Sequence, residues 1–259
     1  AIEVKNICKK HNIKYAIIAG TLLGAVRHKG FIPWDDDLDI GMLRNDYERF
    51  IKVCQHELRN DYFLQTWESD PGFALPFAKI RKNGTRFIEK NSSAANLHCG
   101  IYIDIFPFDN VPKSRFQQSL AEDATYILKR MLLIKMKYIV WKDTELLKKV
   151  IYKTFKLFSL FFSNNHIKRK LYKLMTKSNN LITEKVVAFG GAYGYKKESI
   201  KRVWLEKLME IDFESEKLSA PADNIDYLTY FYGDYMTPLL ENERFNRHYI
   251  IDIGFEEEK

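Results

Sequence analysis

The segment that most constrains this chain is a short acidic stretch in which charged and aliphatic side chains alternate. Its sequence, Trp34-Asp35-Asp36-Asp37-Leu38-Asp39-Ile40, places four carboxylates within five residues. Because side chains alternate between the two faces of a strand, Asp37 and Asp39 are predicted to share one face, with the aliphatic side chains on the other. Like charges on one face repel each other unless a cation joins them. The pattern therefore predicts a strand that can bind a cation.

The residue types in this stretch favour a hard divalent cation. Carboxylate oxygens are preferred ligands of Mg²⁺ and Mn²⁺, and Mg²⁺ usually adds waters and substrate phosphates to one or two carboxylates. A phosphate-bearing substrate is therefore expected. A solvated acidic turn is the alternative, since this spacing also occurs on surfaces. A calcium-binding EF-hand is excluded, because Ile40 stands where that loop requires glycine.

A second strand carries another acid. In the stretch from Gly100 to Pro107 the isoleucines alternate with Tyr102, Asp104 and Phe106. An isolated carboxylate is unfavourable inside a protein, so Asp104 requires a metal ion, a buried Arg or Lys, or solvent at a sheet edge. The sequence leaves these three partners open.

Several other side chains are candidates for binding phosphate. Lys79 and Arg81 share one face of a predicted strand, and Arg27 follows the turn Gly20-Thr21-Leu22-Leu23-Gly24. Backbone N–H groups at a Gly-led helix start and Arg guanidinium groups commonly bind anions. His98 is a candidate hydrogen-bond donor to phosphate, or an acid or base, by its type. Each of these side chains also fits a surface ion pair or a structural hydrogen bond.

Composition favours a folded protein of a reducing compartment. The 259 residues are 46% apolar, enough for a sizeable core. Cys8, Cys54 and Cys99 are far apart and form no Cys/His cluster, which argues against a disulfide framework or a zinc site. No apolar run approaches the roughly 18 residues that span a bilayer. A cytoplasmic location is therefore expected.

The predicted elements place the chain in the α+β class and divide it into three parts. Residues 1–112 mix helix and strand patterns around the acidic stretch, and residues 181–259 return to a mixed composition. Between them, residues 113–180 lose the strand pattern and read as a basic helical insert. Within it, residues 125–178 carry 14 Lys and Arg against two acidic residues, whereas the whole chain has a net charge of +7. We predict a catalytic core, this insert, and a C-terminal part that completes the catalytic and acceptor region.

Two adjoining motifs resemble those of the LicD family, which is related to fukutin. They are Ala19-Gly20-Thr21-Leu22-Leu23-Gly24-Ala25-Val26-Arg27 and Phe31-Ile32-Pro33-Trp34-Asp35-Asp36-Asp37-Leu38-Asp39-Ile40. The resemblance continues through Lys79-Ile80-Arg81, Thr85, Phe87, Glu89, His98 and Gly100 to Asp109, and then more weakly through Tyr193-Gly194-Tyr195, Trp204 and Tyr232 to His248. The basic insert carries no motif of the family, and Asp212-Phe213-Glu214-Ser215 lacks a glycine expected near its end.

The resemblance implies a nucleotidyltransferase-like fold, with a mixed sheet core and flanking helices. In that fold a Gly-Ser/Thr turn follows the first strand, a DxD motif lies on the next, and a third acid comes from a later strand. By this order the implied catalytic and metal-binding residues, for Mg²⁺ or Mn²⁺, are Asp37, Asp39 and Asp104. The implied substrate-binding residues are Gly20, Thr21, Arg27, Lys79, Arg81 and His98.

The resemblance also implies an enzyme, a phosphotransferase. Members of the family transfer phosphocholine from CDP-choline, or related alcohol phosphates from CDP-alcohols, to cell-surface glycans of the teichoic acid or lipopolysaccharide type. We therefore expect transfer of phosphocholine to a sugar hydroxyl of a glycan precursor, with CMP as the leaving group. Transfer of ribitol phosphate or glycerol phosphate, and nucleotidyl transfer, remain open alternatives.

The basic insert suggests a partner of its own. Residues 125–178 combine lysines with an apolar run from Phe155 to Phe162 that Lys156 interrupts, a pattern typical of segments that lie on an anionic membrane. A lipid-linked glycan acceptor would then place the enzyme at the inner face of the cell membrane. A helical subdomain with solvated lysines fits equally well. Nucleic acid is not an expected partner, and the intact aspartates argue against an inactive glycan-assembly protein.

Overall fold

The structure, a computed structural model, describes residues 1–139, 146–244 and 248–255 of the chain. Its helices are α1 (Ile2–Lys10), α2 (Ala19–His28), α3 (Arg44–Glu57), α4 (Arg115–Lys135), α5 (Leu146–Ser159), α6 (Asn164–Met175), α7 (Tyr195–Glu198), α8 (Val203–Glu206) and α9 (Asn224–Tyr232), followed by a 3₁₀ turn at Glu241–Glu243. Its strands are β1 (Ala16–Ile17), β2 (Asp39–Leu43), β3 (Tyr62–Gln65), β4 (Ala78–Lys82), β5 (Thr85–Glu89), β6 (Tyr102–Asn110), β7 (Lys185–Val187), β8 (Ser199–Lys201), β9 (Leu208–Phe213), β10 (Glu216–Pro221) and β11 (Ile250–Phe255).

Most of these strands form one mixed sheet. Its order is β1-β2-β6-β4-β3, and the C-terminal end of β6 continues into pairing with β7 and then β8. Strands β2 and β6 are parallel, whereas the other pairs in this sheet are antiparallel. The hairpin β9–β10 and the pair β5–β11 are separate from it. This curled mixed sheet with flanking helices confirms the predicted α+β class and is consistent with a nucleotidyltransferase-like fold.

The acidic stretch enters the centre of this sheet, although the strand begins later than predicted. Strand β2 starts at Asp39, so Asp37 lies just before the strand rather than within it. Leu38 and Ile40 are buried, as the alternation predicted. The Leu38 carbonyl accepts a hydrogen bond from the Asp104 N–H at 2.9 Å, which extends the pairing with β6 beyond the strand itself. The burial of these aliphatic side chains and the pairing with β6 therefore determine where the neighbouring acids lie along the strand.

The predicted basic insert is helical where the structure describes it. Helix α4 packs against both α5 and α6, and α6 is anchored through the buried Ile167 and Leu171. Residues 140–145 of the insert lie outside the described residues. After it, β7 returns to pair with β6, so the C-terminal part adds strands to the central sheet. The predicted boundaries at residues 113 and 181 stay predictions. In the described part of the chain, no helix combines the length and apolarity needed to cross a membrane.

The tip of the β9–β10 hairpin lacks glycine but adopts a backbone conformation that favours glycine. Glu214 has a φ of 53°, in the left-handed region. Its N–H donates to the Lys29 carbonyl at 2.7 Å, and its Oε1 accepts from the Phe31 N–H at 3.0 Å. Two hydrogen bonds to the loop after α2 thus offset a conformation that costs about 1–2 kcal/mol for a residue with a side chain.

Candidate active site

Two carboxylates and a lysine lie side by side on three adjacent strands. Asp39 on β2 is opposite Asp104 on β6, and Asp104 is opposite Lys79 on β4. Lys79 Nζ is 2.7 Å from Asp104 Oδ1, and the two side chains are 4% and 9% exposed. Of the three partners that the sequence left open for Asp104, the structure therefore provides a buried lysine.

Asp37 belongs to a second group of acids just before β2. Side-chain oxygens of Asp35, Asp36 and Asp37 lie within 4.8 Å of one another. His248 contacts this group from the far end of the chain, with Nδ1 2.6 Å from Asp36 Oδ1 and Nε2 3.5 Å from Asp37 Oδ2. His248 is not among the predicted site residues, because a contact between residues 212 positions apart leaves no local sequence pattern.

Burial and mutual repulsion favour the protonated forms of these acids. Burial, followed by the charge of Asp35, raises the pKa of Asp37 to about 7. Burial, followed by the charges of Asp37 and Asp104, raises the pKa of Asp39 well above its ordinary value. Burial also raises the pKa of Asp104, although Lys79 acts in the opposite direction. The hydrogen bond with Asp36 raises the pKa of His248 to about 9. A cation bound among these carboxylates would relieve their repulsion.

Helix α2 places its first turn against the acidic stretch. Thr21 Oγ1 accepts a hydrogen bond from the Asp39 N–H at 2.8 Å. A Cβ atom at Gly20 would lie 2.7 Å from Asp35 Oδ2, so glycine leaves room for that carboxylate beside the start of the helix. Negative charge is favoured there by the helix dipole. The two predicted substrate-binding residues in this turn, Gly20 and Thr21, therefore contact the acids directly.

The other predicted substrate-binding side chains lie outside this group. Arg81 is buried, and its Nη1 donates to the Gly100 carbonyl at 2.6 Å. The His98 ring stacks on the Phe63 ring with centroids 4.8 Å apart. Arg27 is half-buried at the end of α2. Lys79 therefore contacts the acids. Arg27, Arg81 and His98 do not line the cavity that contains Asp37, Asp39 and Asp104. The substrate-binding roles of these three residues and of Lys79 stay predictions.

A cavity of 360 Å³ connects the acids to a group of aromatic side chains that are not among the predicted site residues. Asp37, Asp39, Asp104 and Lys79 line it together with the aromatic side chains of Phe77, Tyr102, Phe106, Tyr138 and Tyr193. Glu198 also faces this cavity; it is 7% exposed, and its Oε1 accepts a hydrogen bond from the Tyr193 N–H at 3.0 Å. The available signals were Tyr102 and Phe106 on the same strand face as Asp104, Tyr193 in the family resemblance, and the glycines at 190 and 191, which allow the chain to pass close to these side chains.

Replacing Glu198 with Gln is expected to stabilise the protein increasingly as pH rises. Burial raises the pKa of Glu198 from 4.5 to about 7. The folded protein favours the protonated form of Glu198. The stability that this carboxyl group contributes is therefore fully present below pH 4.5 and is lost as the pH rises through about 7. We therefore expect Glu198→Gln to raise the free energy of unfolding by about 2–3 kcal/mol at pH 8 and little at pH 4.5.

Urea denaturation at the two pH values measures this difference. Glu210→Gln is the matched control, because Glu210 is exposed on β9. A gain for Glu198→Gln of the same size at both pH values would contradict the prediction.

The residues present fit a hard divalent cation. Asp37 and Asp39 offer carboxylate oxygens, and the pKa of each is raised first by burial and then by the charges of neighbouring acids. Lys79 is paired with Asp104, so the charge of Asp39 lacks an equivalent ion pair among the salt bridges of the described residues. Oxygen ligands with this charge suit Mg²⁺ or Mn²⁺.

The fold is consistent with that of a nucleotidyltransferase-like enzyme: a Gly-Thr helix start contacts the acidic stretch, and acids on adjacent strands line one cavity. The family described as "LicD/FKTN/FKRP, nucleotidyltransferase domain" matches residues 12–146, which is more than half of the chain. This chain belongs to that family. The prediction of a LicD-type phosphotransferase is thereby confirmed.

Individual relatives extend the similarity beyond the matched domain. The chain is 28% identical to the lipopolysaccharide cholinephosphotransferase LicD of Haemophilus influenzae over 233 residues, or 89% of this chain and 84% of that protein. It is 53% identical over 51 residues to an uncharacterized protein of Rickettsia typhi, covering 20% of this chain and 16% of that protein. It is also 59% identical over 44 residues to an uncharacterized protein of Rickettsia prowazekii, covering 17% of this chain and 16% of that protein.

Proposed function

We propose that this protein transfers phosphocholine from CDP-choline to a sugar hydroxyl of a lipopolysaccharide or teichoic acid type glycan precursor. The family supports the reaction class, and the similarity to a lipopolysaccharide cholinephosphotransferase supports the head group and the type of acceptor. The observation that carries the proposal is the row of Asp39, Asp104 and Lys79 across three strands, in a cavity that also contains Asp37.

The reaction replaces the phosphoanhydride bond of the donor with a phosphate ester bond to the acceptor. The acceptor hydroxyl oxygen bonds to the choline-bearing phosphorus, the bond from that phosphorus to the bridging oxygen breaks, and CMP leaves with the electron pair. The hydroxyl proton passes to a carboxylate oxygen. Asp104 is suited to accept it, because burial raises its pKa and so favours the protonated product, while the ion pair with Lys79 acts in the opposite direction and favours the ionised form before transfer; metal binding is the alternative role of this residue.

The other side chains position the donor and stabilise charge. Asp37 and Asp39 would hold Mg²⁺ or Mn²⁺, which when bound neutralises the charge that develops on the departing CMP. Lys79 Nζ is held over the Tyr102 ring, 3.2 Å from its centroid, and so stays within the row of acids. Phosphoryl transfer depends mainly on such positioning and charge stabilisation. His248 adds positive charge beside Asp36 and Asp37 when it is protonated.

We place the reaction on the cytoplasmic side of the cell membrane. Cys8, Cys54 and Cys99 are all free thiols, which is consistent with a reducing compartment. A CDP-activated donor and a lipid-linked acceptor would meet at that face. Transfer of ribitol phosphate or glycerol phosphate from the corresponding CDP-alcohol, or of a nucleotidyl group, would use the same acids.

The proposal is tested by a transfer assay with CDP-choline and short lipopolysaccharide or teichoic acid acceptors, in Mg²⁺ or in EDTA. Release of CMP and the mass of the acceptor are followed together, because mass identifies the group transferred. We expect a metal-dependent gain of one phosphocholine, lost in Asp37→Ala/Asp39→Ala. A gain with CDP-ribitol or CDP-glycerol alone would overturn the head group, and no reaction with any CDP-alcohol would overturn the reaction class.

A further inference from the structure

We propose that the aromatic end of the cavity binds the quaternary ammonium group of the donor, through Phe77, Phe106, Tyr193 and Glu198. This inference rests on the proposed function, because it states how the same cavity selects its head group. A quaternary ammonium ion has no N–H to donate, so proteins bind it with aromatic faces and nearby negative charge.

The register of the sheet places two aromatic rings on the same face as the acids, two residues further along the strands. In the antiparallel pair β4–β6, Ala78 is opposite Ile105 and Lys79 is opposite Asp104. Phe77 and Phe106 therefore form the next pair on the face that carries Lys79 and Asp104, and their ring centroids are 4.4 Å apart. Two residues along a strand span about 6.6 Å. Two methylene carbons join the ammonium nitrogen of phosphocholine to its phosphate, a reach comparable with one such step.

Two consecutive glycines bring a carboxylate to these rings. A Cβ atom at Gly190 would lie 2.5 Å from the Phe77 ring, and one at Gly191 would lie 2.1 Å from the Glu198 carboxyl group. The backbone at 190–191 therefore passes closely over both side chains, and Phe77 and Glu198 lie at adjacent positions along it. Any other residue at either position would have to displace a side chain of the proposed binding site.

The surroundings of Glu198 leave its carboxylate suited to a bound cation. Glu198 is buried and accepts from the Tyr193 N–H. The nearby Lys129 Nζ donates to the Phe189 carbonyl at 2.5 Å, and Lys197 Nζ lies over the Tyr193 ring, 4.8 Å from its centroid. No salt bridge of Glu198 is found within the described residues. A positively charged head group would therefore supply the opposite charge.

Binding of two donors that differ only in charge tests this site. Isothermal titration calorimetry would compare CDP-choline with its neutral isostere, in which a tert-butyl group replaces the trimethylammonium group. We expect the wild-type protein to bind CDP-choline about 30-fold more tightly, in line with a desolvated cation–π site. Glu198→Gln and Phe77→Leu should each reduce that preference to about fivefold or less. Phe63→Leu, on the neighbouring strand β3, is the matched control and should keep the full preference.

The outcomes separate this inference from the proposed function. If the protein transfers phosphocholine but Glu198→Gln and Phe77→Leu keep the full preference, the ammonium group binds elsewhere and the inference is wrong while the proposed function stands. If the wild-type protein binds CDP-glycerol and not CDP-choline, both are overturned. A preference for CDP-choline that both variants lose would support both.

An independent observation, within the basic insert itself, leads to a second proposal. We infer that the end of α5 and the turn after it dock on the surface of a bilayer that contains anionic lipid. The contact surface is an apolar ridge made of Leu157, Phe158, Leu160, Phe161 and Phe162, whose exposed fractions are 58%, 56%, 68%, 76% and 39%.

The ridge is unusual because its exposed apolar side chains are contiguous. Single exposed apolar residues are ordinary, but a contiguous patch marks a contact surface. Beside the ridge a cavity of 280 Å³, lined mainly by apolar side chains that include Ile127, Met131 and Phe158, opens between α4, α5 and α6. Its lining matches acyl chains better than it matches water.

The charges around the ridge indicate which apolar partner fits. Lys149, Lys153 and Lys156 are exposed on α5, and their spacing of four and three residues places them along one face of the helix. Lysines beside an apolar helix face are typical of helices that lie in the interface of an anionic leaflet. An uncharged apolar partner would leave these lysines without complementary charge.

Flotation of the full chain with liposomes tests the docking surface. We expect binding to vesicles that contain phosphatidylserine, and at least a tenfold loss in Leu160→Ser/Phe161→Ser and in Lys149→Glu/Lys153→Glu/Lys156→Glu. Ile225→Ser removes a similarly exposed apolar side chain from α9 and should bind like the wild type. Unchanged flotation of both ridge and lysine variants would overturn the proposal. So would a wild-type dimer that does not bind vesicles and becomes monomeric in Leu160→Ser/Phe161→Ser.

Discussion

Replacing Asp39 with Asn is expected to abolish phosphocholine transfer and at the same time to raise the melting temperature. Burial and the charges of Asp37 and Asp104 raise the pKa of Asp39, so the folded protein is destabilised by its ionised form. Asn removes that charge, and the backbone N–H of residue 39 can still donate to Thr21 Oγ1. Residues that serve chemistry at the expense of stability are expected to show this pair of effects.

The expected loss of transfer rate and rise in melting temperature of Asp39→Asn can each be given an approximate size. Loss of one preorganised group that stabilises transition-state charge lowers the rate by about 10²–10³-fold, and we expect at least the upper value here. A gain of 1 kcal/mol raises the melting temperature by roughly 2–4 °C in a protein of about this size. Because the folded-state pKa is raised, the gain should be largest at neutral and alkaline pH and should vanish near the ordinary pKa of an aspartate.

CMP release and thermal unfolding of the same preparations measure both effects. Asp61→Asn is the matched control, because Asp61 is an exposed acid paired with Arg59 and lies outside the cavity. It should leave both quantities near the wild-type values. An Asp39→Asn protein that keeps more than about a tenth of the activity would contradict the catalytic role. An inactive variant that also melts at lower temperature would point to a structural role.

The largest loss of stability is expected when Arg44 is replaced by Met. Arg44 Nε and Nη2 donate to the two carboxylate oxygens of Asp109 at 2.8 and 2.6 Å, and both side chains are almost fully buried. Asn179 Nδ2 also donates to Asp109, at 2.6 Å, and the Tyr172 ring lies 5.6 Å from the Arg44 guanidinium. This pair therefore joins α3 and the central sheet to the end of the basic insert.

Removing Arg44 leaves the Asp109 charge buried without its cation. Breaking a buried ion pair in this way costs about 3–5 kcal/mol, which corresponds to a fall in melting temperature of roughly 10 °C. The double variant Arg44→Met/Asp109→Leu should recover most of the loss, because an apolar pair leaves no unpaired charge. Arg59→Met, which breaks the exposed pair with Asp61, should leave stability near the wild-type value, because solvent screens that pair.

Urea denaturation of the four proteins measures these differences, and the double variant provides the internal test. A loss below about 1 kcal/mol for Arg44→Met would mean that the ion pair contributes no more than a surface pair. A double variant as unstable as Arg44→Met would show that the loss comes from packing between Tyr47 and Tyr172 and not from the unpaired charge.

Local patterns predicted the elements that carry the acids. Alternation of Leu38 and Ile40 with aspartates predicted a strand with a buried aliphatic face, and both aliphatic side chains are buried. The helical spacing predicted the insert as helices, which the described part contains. The later start of β2 was not predictable in the same way, because pairing with β6, and not alternation, decides where a strand begins.

Contacts between distant segments decided what surrounds the acids. The sequence left three partners open for Asp104, and the antiparallel register of β4 and β6 selected Lys79. The positions of Arg81 and His98 away from the cavity were decided by neighbours on other strands and loops. His248 and Glu198 reach the cavity from the C-terminal part of the chain. The family resemblance extends to His248, but no local spacing links either residue to the acidic stretch.

The sequence by itself determined the family, the acidic strand and the class of chemistry, because these depend on residue types at short, fixed spacing. Tertiary structure alone decided which cation pairs with Asp104, which acids His248 contacts, and which aromatic side chains share a cavity with Glu198. The physical reason is that charge interactions and cavity shape depend on distances of a few ångströms between strands and loops. Those distances are set by the packing of the whole sheet, which no single segment encodes.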